Sequence, residues 1–78
     1  MPRVRFAVGC HPHNAKHYDD ALEGLLLDRL ADARVSAVGE IGLDYHYDFS
    51  PREAQREAFR RQVRVAKEAG LPIVLHIR

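Results

Sequence analysis

Glu40 stands between Gly39 and Gly42, shortly after the apolar run 35–38, and His76 closes a second apolar run, 73–75. Carboxylate and imidazole are ligand types that hold Zn2+, Mn2+ or another divalent ion. The same two residues also admit a plainer reading. Glu40 would then be a general base or a salt-bridged loop residue, and His76 an interior histidine with its hydrogen bonds satisfied. Two ligands do not make a site, and spacing alone leaves both readings open. The flanking glycines lack the side chains that would keep the backbone from bending or approaching a ligand closely. A charged residue at the exit of an apolar strand is what a parallel α/β sheet shows where its strand ends open onto a ligand crevice.

The elements that must position these residues follow from periodicity and caps. Residues 5–10 form a short apolar run ended by the turn residues Pro12 and Asn14, so a strand and a loop are expected. From Asp20, Leu22, Leu25, Leu26, Leu30 and Ala33 recur at helical spacing. Asp20 is the expected N-cap and Glu23 its capping-box partner, with the helix ending near residue 33. Residues 35–40 are the second strand and 45–49 a loop. Ser50-Pro51-Arg52-Glu53 reads as a cap followed by a proline preset for the first helical position, and Gly70 as the stop. Residues 71–78 complete a βαβαβ order.

Apolar strands alternating with helices imply an α/β fold with a parallel sheet covered on both faces. Right-handed crossovers then gather the strand exits, with His11, Glu40 and His76, on one edge. Strict alternation puts Ala7, Gly9, His11, Ser36, Val38, Glu40, Val74 and His76 on one face. Phe6, Val8, Cys10, Val35, Ala37, Ile73, Leu75 and Ile77 fall on the other, which is greasy enough to carry the helices. One polar, small-residue face and one apolar face suit a sector of a (β/α)8 barrel, although three strands cannot close one.

Seventy-eight residues make one domain at most. At about this length a single core seldom supplies more than ~3–5 kcal/mol, so independent stability is doubtful. A net charge of +1 gives no bulk field with which to bind nucleic acid or a membrane surface, and any anionic substrate must be held locally. One cysteine, Cys10, excludes an intrachain disulfide and fits a reducing compartment, the cytoplasm. The apolar run before His11 is too short for a signal-peptide core or a membrane span.

Three blocks together resemble the TatD-like deoxyribonuclease family: Gly9-Cys10-His11-Pro12-His13, then residues 39–45 with Gln55 and Phe59 in the following helix, then residues 71–78. The resemblance implies a metal-dependent hydrolase on a (β/α)8 barrel related to the amidohydrolases. Such an enzyme cleaves DNA phosphodiesters with one or two divalent ions (Mg, Mn or Zn) that activate water. It further implies that Glu40 is catalytic as the carboxylate shared between the metals, and that His76 ligates the second. His11 and His13, at the same rim, could contact phosphate or the activated water, or merely structure the loop beside Pro12. Asp44 either orients a ligand or the loop after Glu40 or plays a plain turn role, Arg78 could pair with a carboxylate in the rim, and Tyr45 and Tyr47 either stack on a base or simply pack over the site. His17 and His46 read as surface residues, and the arginines of the second helix as a solvated face.

The family's entry motif Asp-x-His-x-His and its later histidine and aspartate ligands have no counterpart here. Residues 1–78 are therefore expected to be a partial barrel, about strands 2 to 4 with two helices, lacking N- and C-terminal parts and with little activity alone. Two other readings stand beside the nuclease. One is a non-catalytic α/β module that self-associates through exposed strand edges. The other is a barrel enzyme cleaving an amide or lactone, since loops, not fold, select the bond.

Overall fold

Each expected strand and helix forms, and the differences lie at their ends, in the first loop and in two irregularities of the strand ladders. The computed structural model describes residues 5–78. In order, it contains β1 (Phe6–Val8), a 3-10 helix (Pro12–His17), α1 (Asp20–Leu30), β2 (Val35–Leu43), α2 (Arg52–Ala69) and β3 (Ile73–Ile77). The three strands are parallel, with β2 between β1 and β3. The first loop is thus partly helical, since Pro12 is preset for a helical turn and His11 caps it.

The caps differ from expectation by a residue. Asp19, not Asp20, caps α1 by accepting the Leu22 amide at 2.8 Å. Glu23 does not reach back to the cap; it accepts from the Tyr18 hydroxyl and from Arg61 of α2. α1 stops at Leu30, short of residue 33, because Asp32 accepts the Arg34 amide and draws the chain into a turn. Ser50 does not cap α2. Its hydroxyl donates to the His13 carbonyl at 2.8 Å and accepts the Lys16 amide at 3.1 Å, tying the loop after β2 to the 3-10 helix. Gly70 ends α2 in the left-handed region (φ 69°), and the Leu71 amide returns to the Ala66 carbonyl at 2.9 Å.

Strict alternation fails in β2. The ladder to β3 slips between Gly39 and Ile41, so Glu40 is an inserted residue, at a point where the Gly39–Glu40 peptide is cis. A second irregularity lies between Phe6 and Ala7. Val38, expected on the face of Glu40, instead joins Ile41 and Ala66 of α2 in the core, with Leu30, Phe59 and Leu71 packed around them. Ala37, expected against the helices, pairs with Ala7 on the opposite face. Burying side chains of the size of Val38 and Ile41 contributes roughly 1.5–3 kcal/mol each. Ile73, Leu75 and Ile77, expected to carry helices, remain exposed. No helix among the described residues is long and apolar enough to cross a membrane.

Candidate metal centre at the strand exits

The bulge turns Glu40 out of the core. Its side chain is 52% exposed and its Oε1 lies 3.3 Å from His76 Nδ1 and 3.7 Å from His11 Nε2. His76, on β3, pairs in register with Gly42, and this close approach requires glycine. Gly42 has φ 149°, and a Cβ there would run into the His76 carbonyl oxygen.

Asp44, one residue past β2, organises the histidines. Its side chain is fully enclosed, and Oδ2 accepts from His13 Nε2 at 2.7 Å and from His76 Nε2 at 2.9 Å. Oδ1 accepts the Tyr47 amide at 3.0 Å. That amide above all, helped by the two imidazoles and opposed by burial, holds the carboxyl well below the usual carboxylate range. An ionised carboxylate only accepts, so both histidines present Nε2–H to it. In the neutral ring, the unprotonated Nδ1 of His76 therefore lies 3.3 Å from Glu40 Oε1. Two acceptors 3.3 Å apart are what a shared cation satisfies. His11 is fixed in the opposite sense. Its Nδ1 accepts the His13 amide at 3.2 Å, so Nε2 bears the proton and faces Glu40 as a donor. Burial first, then His13 and His76, lowers its pKa, opposed by the charges of Glu40 and Asp44. The three imidazoles can offer ligand atoms within 4.8 Å of one another.

Two buried glutamines of α2, seven residues apart on one helix face, hold the loops that carry these groups. Gln62 Oε1 accepts the Cys10 amide at 2.6 Å and its Nε2 donates to the Cys10 carbonyl at 3.3 Å. Gln55 Oε1 accepts the Asp44 amide at 2.7 Å, while its Nε2 donates to the Asp44 and Ser50 carbonyls. Gln62 escaped the sequence reading, and Gln55 entered it only through the family resemblance. The available signal was two amides, Gln55 and Gln62, in an otherwise apolar stripe with Ala58, Phe59 and Ala66. A cavity of about 360 Å3 between β1 and α1 is lined by Val8, Leu22 and Leu26 with Tyr18 and Arg29, and touches the site only through His11; no carboxylate is among its lining residues. The chemistry therefore gathers at the strand exits.

Arg78 departs from expectation. Among the described residues it pairs with no carboxylate, and its guanidinium lies 5.6 Å from the Tyr47 ring centre. Tyr45 is occupied, with Arg52 over its ring at 4.3 Å and Arg56 donating to its hydroxyl. Arg61 is no solvated arginine; it joins Asp20 and Glu23 of α1 to α2.

The family model for TatD related DNase matches residues 1–78, the whole chain. The chain belongs to the TatD family. Its parallel βαβαβ run is a segment of that family's (β/α)8 barrel, whose members are metal-dependent hydrolases. It is 43% identical over 72 residues to an uncharacterised metal-dependent hydrolase, YabD, of Bacillus subtilis, covering 92% of this chain and 28% of that protein. It is 37% identical over 71 residues to the 3'-5' ssDNA/RNA exonuclease TatD of Escherichia coli, covering 91% of this chain and 27% of that one. To the human 3'-5' RNA nuclease TATDN2 it is 41% identical over 73 residues, covering 92% and 10%. The chain thus spans less than a third of the length of these curated TatD relatives.

Proposed function

We propose that this TatD-family chain supplies the Glu40–His76 half of a metal centre that hydrolyses phosphodiester bonds in nucleic acid, in the cytoplasm. The observation that carries the reading is the pair of facing acceptors, Glu40 Oε1 and His76 Nδ1, 3.3 Å apart beside an imidazole donor. One carboxylate oxygen and one imidazole nitrogen suit Zn2+ or Mn2+ in particular, and Mg2+ less well. When bound, one or two such ions neutralise phosphate charge and lower the pKa of a coordinated water toward ~7. The chain's own residues do the rest. Glu40 and His76 would hold the ion or ions, His76 through its Nδ1, and Asp44 fixes the tautomer and angle of that ring. His11 donates its Nε2 proton to a phosphate oxygen, and His13 completes the clamp on Asp44. Arg78, which pairs with no carboxylate among the described residues, adds positive charge at the rim. The strands correspond to about the second to fourth of the barrel, and remaining ligands come from outside these 78 residues. Catalytic zinc sites keep three protein ligands, so these residues alone hold the ion weakly and hydrolyse little.

Calorimetric titration of Zn2+ and Mn2+ into the chain and its Glu40→Ala and His76→Ala variants tests the assignment, alongside a nuclease assay on labelled single-stranded DNA. Metal binding lost in both variants is the expected result. Binding unchanged in Glu40→Ala would sink the central assignment. A second reading, an assembling module without catalysis, draws on β3, where Ile73, Val74, Leu75 and Ile77 are all exposed on an edge strand. It predicts oligomers that bind no divalent ion.

A further inference from the structure

Two large aromatic side chains that take no part in the core stand beside the metal centre. Tyr47 is 48% and Phe49 55% exposed, and their rings stack at 5.3 Å between centres and 15° between planes. Asp48 between them has φ 52°, a conformation that Asp tolerates better than most residues, and the reversal there brings the flanking rings together. Arg52 holds Asp48 at 3.0 Å, so the turn leaves no unpaired negative charge under the rings. Two cations lie beside the pair. Arg78 lies over Tyr47, and Lys16 Nζ donates to the Phe49 carbonyl at 3.2 Å.

One imidazole separates this pair from the metal centre. His13 sets its ring against Phe49 at 4.8 Å and against His76 at 5.9 Å, while its Nε2 is bound to Asp44.

We infer that Tyr47 and Phe49 form a stacking platform for one unpaired base of a single-stranded nucleic acid, whose adjoining phosphate lies at Glu40, His76 and His11. The inference rests on the nucleic-acid reading above and deepens it by assigning a base subsite. Flat exposed rings flanked by cations match a base with its phosphates on either side, because every base has a π-face and stacking needs no particular edge. A paired base is already stacked within its duplex, so the platform selects single strands. It also assigns the stacking to Tyr47 and Phe49 and withdraws it from Tyr45, which is only half-buried rather than exposed and over whose ring Arg52 sits closer, at 4.3 Å, than Arg78 does over Tyr47.

The test uses the full 78-residue chain with Mn2+ and short oligonucleotides, DNA and RNA in parallel. Each carries a 5' dye for anisotropy and 2-aminopurine at its 3' end, whose fluorescence is quenched on stacking. Expected are quenching on binding, and a roughly 5- to 150-fold loss of affinity in Tyr47→Ala and in Phe49→Ala. Tyr47→Phe should retain affinity. An oligonucleotide abasic at its 3' end should bind wild type as weakly as the intact strand binds the alanine variants, and should not distinguish wild type from variant. Equal loss for abasic and intact strands would overturn the platform while leaving the nuclease reading in place. So would intact strands that bind every variant alike. Failure of wild type to bind any strand would overturn the nucleic-acid reading and the platform with it. Circular dichroism identical to wild type verifies that each variant is folded.

Discussion

At the scale of single residues, Asp44 has the greatest leverage. It is enclosed and accepts from two imidazoles and one amide, so it settles which nitrogen of His76 faces Glu40. Asp44→Asn keeps the shape but replaces one accepting oxygen with a donating amide. A divalent-ion affinity about 10- to 100-fold lower is expected by calorimetry, the usual effect of losing a group that orients a ligand. Long-range 1H–15N spectra should show His13 and His76 as Nε2–H tautomers in wild type and a mixture in the variant. The pH dependence has a definite sign. Because the folded-state pKa of Asp44 lies below its unfolded value of ~3.9, its contribution is complete above that pH and is lost as pH falls through the folded value. Asp44→Asn should therefore flatten the acid limb of stability, and wild type and variant should converge in strong acid.

At the scale of elements, α2 is the positioning device. It packs its apolar stripe on β2 through Ala66, and its two glutamines hold the loop after β1 and the loop after β2. Gln62→Leu leaves the Cys10 amide and carbonyl without partners in a partly buried loop, which costs about 1–3 kcal/mol. A lower urea midpoint with unchanged slope is the expected result, together with weaker metal binding because His11 follows Cys10. An unchanged midpoint would mean that the clamp is idle. Both helices were legible from leucine spacing, proline and glycine. The caps were not legible to the residue, because Asp19 and Asp20 are chemically equal candidates and Ser50 had a better partner in the His13 carbonyl.

At the scale of the whole molecule, an edge strand with an uncovered apolar face dominates. Leu75 and Ile77 are 53% and 57% exposed, beside Ile73 and Val74. Surface of this kind associates with copies of itself or with another chain. The purified chain is expected to sediment as oligomers, and the double variant Leu75→Lys with Ile77→Lys to shift it toward monomer; a wild-type monomer at all concentrations would refute this. The element order, the parallel sheet and the gathering of His11, Glu40 and His76 at one edge were all determined by the sequence itself. Periodicity, caps and crossover handedness are local or topological rules that a string of residues carries in full. The family was legible for the same reason, in three contiguous blocks. Only the tertiary structure decided that Val38 faces α2, because a one-residue slip at Glu40 reverses the parity of every residue on one side of it. Only the tertiary structure brought Asp44 to both histidines, Gln62 to Cys10 and Tyr47 onto Phe49. Contacts across a dozen to fifty residues, and the left-handed turn at Asp48, depend on where the packed elements come to rest, and no local pattern encodes that.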